Sequence, residues 1–295
     1  MKKRIVRGRR SVVYKYGGII IKKARGKPGT NDYDNYIKHQ VSGYEVIKRL
    51  LESGEPLGVG LPELVSINAD TREIRERLLP GVKFTGKLYN SLSRRSKEKA
   101  AQDMAEFLNA MHQLQEPQRA GITLRKYFNR FKTVENPNLD AEIISEFIGK
   151  LSPSSLRLIN AAETYFCDCA YSSRDEAAAI THHDLREDNL IYDKRSRKLF
   201  VIDFEGASLL NIYWNFIPRS PTSVFIGDFA RSVIERYNAL NKKYPVLIDN
   251  NKIKHASVYS MTIEFFRLLC RDNIAGRSPS LSFRAVQFDS LLERF

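Results

Sequence analysis

The 295-residue chain has only three cysteines and one tryptophan, and nothing in it repeats. Cys167 and Cys169 form a lone Cys-x-Cys without the second ligand pair of a structural zinc site. Together with Cys270 they are expected to be structural thiols of a reducing compartment. No apolar run reaches the roughly 18 to 20 residues that cross a bilayer, so no transmembrane segment is expected. The opening MKKRIVRGRRSVVYKYGG is basic but lacks the continuous apolar core of a secretory signal, which points to the cytoplasm. A Gly-x-Gly-x-x-Gly phosphate loop is also missing, leaving Gly8-Arg9-Arg10-Ser11 as the candidate for that place.

Acidic residues are scarce relative to basic ones, 34 against 48, for a net charge of +14. Such an excess attracts polyanions in general, including nucleic acid, acidic membrane surfaces and phosphorylated substrates. The clusters Arg4, Arg7, Arg9, Arg10 and Arg94, Arg95, Lys97, Lys99 are not interleaved with aromatic residues as a base-stacking platform would be. They read as solvated basic surface, and nucleic acid stays a minor reading drawn from charge alone.

What is present is a soluble globular composition, 42% hydrophobic and 28% charged, long enough for one large domain or two lobes. The most informative stretch is THHDLREDNLIYDKRSRKLFVIDFEGA, residues 181–207. Leu190, Ile191 and Tyr192 are followed by a polar turn and a returning apolar run from Leu199, which predicts a β-hairpin. An antiparallel pair brings its outgoing and returning ends together, so Asp203 is expected beside Asn189. Two acids and an amide then converge. Hard oxygen ligands at Asn189 and Asp203 suit Mg²⁺ on a nucleotide, and Asp184 suits the carboxylate that takes a proton from an attacking hydroxyl. Taken singly, each could equally be a cap or a solvated loop residue.

Upstream, residues 5–23 read as strands broken by Gly17-Gly18, the second ending in Lys22-Lys23. Residues 36–52 carry Val41, Tyr44, Ile47, Leu50 and Leu51 at helical spacing. Two further strands flank an Asn-Ala-Asp turn before Leu79-Pro80-Gly81, a Pro-Gly lobe boundary. Residues 98–114 form a core helix through Ala101, Met104, Ala105, Phe107, Leu108, Met111 and Leu114, in which His112 is expected to pack and hydrogen-bond. Helical patterns recur at 141–151, 156–170 and 258–269. Arg125, Lys126, Arg130 and Lys132 could meet an anionic acceptor, or form a solvated face. Trp214, in an aromatic loop, could cage a cation or plug the core.

The order His182-His183-Asp184-Leu185 through Asn189, then Val201-Ile202-Asp203-Phe204-Glu205, resembles the catalytic and metal loops of kinases. With an acid at Glu205 it resembles the aminoglycoside phosphotransferase and choline kinase family. Phe107 to His112 resembles the end of a helix in that family. Asp228 has N-cap character, and Asp228-Phe229-Ala230 resembles the family's Asp-Leu-Ala helix start, whose acid braces the catalytic loop; for Asp228 the structural role is the expectation. The resemblance implies an α+β, two-lobed, protein-kinase-like fold, with a nucleotide-binding lobe over 1–79 and a catalytic and acceptor lobe over 80–295.

It further implies ATP and Mg²⁺ as cofactors and phosphorylation of a small-molecule hydroxyl. Asp184 would be catalytic, Asn189 and Asp203 metal ligands, and Lys22 the phosphate lysine, chosen over Lys23 by position. Glu45 would be its partner from the helix, Leu78 a backbone contact to the base, and Glu205 a contact to a second metal or the acceptor. The +14 charge favours an anionic sugar as acceptor, whereas the IDFE sequence leans toward cationic amines. A protein kinase, a nucleotide-binding pseudokinase and a basic polyanion-binding protein are the alternatives.

Overall fold

The structure is a computed structural model. It describes residues 3–7, 11–25, 35–114, 141–171, 178–182, 184–211, 215–216, 227–241, 280–293 and parts of the helical stretch 254–269. Gly8 to Arg10, the basic residues between 125 and 132, Trp214 and Cys270 lie outside the described residues.

The amino-terminal part is an antiparallel sheet. β1 (Lys3–Arg7), β2 (Ser11–Tyr16) and β3 (Ile19–Ala24) follow one another, and β4 (Leu64–Asn68) and β5 (Glu73–Arg77) complete the order β1-β2-β3-β5-β4. The β-branched runs in β2 and β3 suit a pleated surface, and Gly17, at φ +57°, turns the chain between them. Side chains alternate between faces, so Ile74 and Glu76 of β5 are buried while Arg75 and Arg77 are exposed. The same rule buries Lys22 and exposes Lys23.

Helix α1 (Tyr36–Glu52) lies against this sheet. Tyr36, Gln40, Gly43, Ile47 and Leu50 make its packed face, at spacings of three and four. Gly43 is required there, because a Cβ would fall 2.7 Å from the Phe204 carbonyl oxygen. Helix α1 therefore rests directly on the backbone of the turn that carries Asp203.

Beyond Pro80-Gly81 the chain joins a second sheet of β6 (Val82–Lys83), β8 (Leu190–Asp193) and β9 (Lys198–Val201), in the order β6-β8-β9; β7 (Ala178–Thr181) pairs instead with β10 (Ser208–Asn211). Gly81 has φ +114°, and a Cβ there would meet the Tyr192 carbonyl oxygen at 2.4 Å. The rest is mainly helical: α2 (Gly86–Ser91), α3 (Arg94–Gln113), α4 (Ala141–Ile148), α5 (Pro153–Tyr171), α6 (Asp228–Leu240) and α7 (Leu281–Leu292). Ser93 caps α3 through the Ser96 amide, and every apolar position predicted for this helix is buried.

The main core runs from Val46, Ile47 and Leu50 of α1 through α3 and the β8–β9 hairpin to Val233 and Tyr237 of α6. A smaller cluster joins Phe147 of α4, Val258, Met261 and Leu269 to Phe288 of α7. Among the described residues no helix is long and apolar enough to cross a membrane. The basic run on α3 is partly neutralised locally. Arg94 pairs with Glu98 at 2.8 Å, Lys99 with Asp103 at 2.6 Å, and Lys97 lies over the Tyr89 ring.

Candidate active site

The predicted hairpin forms in the expected register. Leu190 stands opposite Val201, and the Ile202 amide donates to the Asn189 carbonyl at 3.0 Å. Asn189 closes a short 3₁₀ turn just before β8, and Asp203 follows β9 in a left-handed conformation, φ 69° and ψ 58°. Asp is among the few non-glycine residues that adopt this conformation with any frequency. The Asn189 Nδ2 donates to the Asp184 carbonyl at 2.8 Å and to Asp184 Oδ2 at 3.0 Å. This leaves Asn189 Oδ1 as the atom able to ligate a cation. Arg186 Nε lies 3.5 Å from Asp184 Oδ2.

Buried groups hold this loop from behind. His182 donates from Nε2 to the Ile202 carbonyl at 2.9 Å, and its ring meets Phe204 edge-on. Its own amide donates to Asn215 Oδ1 at 2.9 Å. Asn215 Nδ2 in turn donates to His112 Nε2 at 2.9 Å, and His112 Nδ1 reaches the Tyr237 hydroxyl at 2.6 Å. The chain of contacts ties α3, α6 and the loop at 215 to both ends of the hairpin. Burial pushes His112 down to about 3 and lowers His182 as well, so both imidazoles are neutral near pH 7. His112 packs and hydrogen-bonds as its place in the sequence suggests.

Lys22 reaches the same place from the sheet. Its Nζ is 2.9 Å from Glu76 Oε1 and 3.7 Å from Asp203 Oδ1. Burial pulls the ammonium pKa down, but the carboxylates of Glu76 and Asp203 more than offset this and hold it above the ordinary lysine value. A small pocket lined by Lys22, Gln40, Tyr44, Glu76, Asp203 and Glu205 lies between sheet and hairpin. Glu205 turns toward α1, where Gln40 Nε2 donates to its Oε2 at 2.6 Å.

Two expectations need correction. Glu45 does not partner Lys22: it is exposed, two residues and so about 200° around the helix from Gly43 on the packed face. The acid beside Lys22 is Glu76 from β5, and α1 contributes the Tyr44 hydroxyl, which donates to Glu76 Oε1. The backbone contact to a base expected at Leu78 is compatible with the structure: the Leu78 amide donates to the Gly18 carbonyl at 2.8 Å, which leaves its carbonyl for that contact. Asp228 does not cap its helix. It is exposed and pairs with Arg231 at 2.6 Å, while Gly227 occupies the cap position.

From the sequence, Tyr44 reads only as an apolar helix position, and Glu76, Gln40 and Asn215 are not singled out as site residues. A signal existed only for Glu76, an acid sharing a strand face with the apolar Ile74.

The donor set fits a magnesium ion. Asp203 offers a carboxylate one-third exposed and Asn189 an amide oxygen, at neighbouring strand ends. Among the described residues no three or more His, Cys, Asp or Glu side chains gather as a metal cage. Few protein ligands supplemented by phosphate oxygens are the usual arrangement for Mg²⁺.

The model of the phosphotransferase enzyme family matches residues 54–217, more than half of the chain. No curated protein matches it. Among solved structures, the chain is similar to an ADP-bound aminoglycoside phosphotransferase, APH(2'')-Ib, with TM-score 0.60 and 15% identity, covering 100% of this chain and 92% of that one. A GDP and kanamycin complex of a related aminoglycoside phosphotransferase gives TM-score 0.66 at 14% identity, covering 99% and 92%. The choline kinase LicA from Streptococcus pneumoniae gives 0.62 at 13%, covering 100% and 94%. These likenesses establish the kinase-like, two-lobed α+β fold, and the family match makes the chain a member of the phosphotransferase enzyme family, a kinase by its chemistry.

Proposed function

We propose that this kinase transfers the terminal phosphoryl group of ATP to a hydroxyl of a small molecule, in the cleft between a lobe over 1–79 and a lobe over 80–295. The observation that carries the reading is the meeting of Lys22, from the sheet, with Asp203, from the hairpin, at 3.7 Å, while Asn189 holds Asp184 at 3.0 Å. Lys22 holds the nucleotide phosphates. Asp184, steadied by the Asn189 amide, accepts the proton of the acceptor hydroxyl as its oxygen bonds to the terminal phosphorus and the bond to the bridging oxygen breaks. Asn189 Oδ1 and the Asp203 carboxylate would hold Mg²⁺, which supplies charge neutralisation on the phosphates. Catalysis of this kind rests on positioning and electrostatics and requires no covalent intermediate.

The acceptor is a hydroxyl compound of the sugar or amino-alcohol kind. Structural neighbours are complexed with kanamycin or named choline kinase, and a net charge of +14 also suits an anionic sugar. Neighbour complexes with ADP and with GDP make the base a matter for measurement. A cytoplasmic location is part of the proposal, motivated by the three cysteines. The nucleic-acid reading gains nothing from the described residues.

The test is the melting temperature with and without ATP and Mg²⁺, for wild type and Asp203→Asn. A ligand at about 100 times its Kd adds about 2.7 kcal/mol to stability. The expected result is a Mg²⁺-dependent rise in wild type that the variant loses. No rise in either protein at millimolar nucleotide would move the weight to a pseudokinase.

A further inference from the structure

Burying a lysine costs free energy unless an anion answers it, and the source of that anion decides what holds the lysine in place. In this protein it comes from within the sheet. β3 and β5 pair with Lys22 opposite Ile74 and Ile20 opposite Glu76, so Lys22 and Glu76 share one face as diagonal neighbours. Both are buried, at 8% and 6% exposure, and meet at 2.9 Å. The same Glu76 oxygen accepts the Tyr44 hydroxyl of α1. Burial, then the Glu76 charge, raises Tyr44 above the ordinary phenol range, so the hydroxyl stays a donor across all practical pH.

Helix α1 supplies no acid to this cluster. Its face toward the site carries Gln40, Gly43 and Tyr44, and its Glu45 is exposed.

We propose that Glu76, steadied by Tyr44, is the positioning residue for Lys22, so that the carboxylate aligning this lysine belongs to strand β5 and stays with it whatever the position of helix α1. The proposal rests on the nucleotide reading above and deepens it. Two hydrogen-bonded strands are held in fixed register, whereas a helix on a sheet can shift or turn. A lysine aligned by its neighbouring strand is ready before nucleotide arrives. Without Glu76, the remaining partner of Lys22 in this cluster is Asp203, at 3.7 Å. The lysine would then move onto the very carboxylate proposed to hold the metal.

The test is a double-mutant cycle read as the dissociation constant for ATP with Mg²⁺, using Glu76→Gln, Lys22→Met and the two combined. If Glu76 acts through Lys22, each single substitution weakens binding by about tenfold and the double variant is no weaker than Lys22→Met alone. A merely structural role would instead give additive losses. Glu76→Asp is expected to recover part of the affinity, and Tyr44→Phe to lose about threefold, again only while Lys22 is present. Should Glu76→Gln fail to fold, the cycle of Tyr44→Phe with Lys22→Met carries the same test. Wild-type affinity in Glu76→Gln, or additive losses in either cycle, overturns the proposal and leaves the phosphotransferase reading intact. A wild-type protein that does not bind ATP with Mg²⁺ overturns both.

Discussion

The two sides of the candidate site are held by different forces. On the sheet side, Lys22, Glu76 and Tyr44 form a charged cluster whose geometry depends on ionised side chains in a buried setting. On the hairpin side, Asp184, Asn189 and Asp203 are placed by backbone: strand register, a 3₁₀ turn, a left-handed residue and a neutral chain through His182, Asn215 and His112. The difference separates two tasks. Under the proposed function, the end assigned to the phosphates would need a fixed positive charge, which neighbouring carboxylates hold in place. The end assigned to the reaction would need fixed positions, which hydrogen bonds within secondary structure supply at little electrostatic risk.

Removing the carboxylate proposed to react, that of Asp184, should separate them most widely. Asp184→Asn is expected to lower the transfer rate by about 10² to 10⁴, the usual contribution of a general base, with ATP affinity changed little. Rates and dissociation constants measured on one preparation check this. An equal loss in both would assign Asp184 to nucleotide binding instead.

Opposite pH excursions should break the two sides. His112 stands at about 3 in the folded protein against 6.5 as its ordinary value. The unfolded chain therefore binds a proton below pH 6.5 that the folded chain refuses, and stability is lost as pH falls. The loss approaches about 1.4 kcal/mol per pH unit toward pH 3, with His182 acting in the same direction. His112→Asn is expected to be less stable at pH 7 but to show a shallower decline on acidification, read by denaturant melts between pH 7 and 4.5. Lys22 has the opposite sign. Its raised pKa leaves its contribution complete below 10.5 and loses it only at more alkaline pH.

The smallest effect is expected at Glu45. Because its side chain is exposed, Glu45→Gln should alter stability by no more than about 0.5 kcal/mol and leave ATP affinity at the wild-type value. A tenfold loss there would mean that α1 does bring an acid to Lys22, and the contrast between sheet and helix would fall.

The hairpin was legible because its information is local. The short apolar segment Leu190 to Tyr192, the polar turn and the returning apolar run lie within 20 residues, so pairing geometry alone sets Asn189 beside the end of β9. Helix α3 was legible for the same reason: its stripe repeats every three to four residues. The rotation of α1 was not. Val41 and Leu51 fit the apolar pattern, yet both are exposed, and the packed face is set by Gly43, which alone admits the Phe204 carbonyl. Asp228 reads as a cap for a similar reason, since an acid at a helix start satisfies local rules whether it takes the cap position or the first turn.

The sequence by itself determined the class of molecule. It carried a kinase-like chain with the acid, amide and acid of a phosphotransferase motif at hairpin spacing, and a lysine at the end of an early strand. Only the tertiary structure decided which acid meets that lysine. Glu45 and Glu76 are equally good candidates as residue types, and the choice depends on the register of β3 against β5 and on the face α1 turns to the sheet. Both are products of packing between segments far apart in the chain, which no local periodicity encodes.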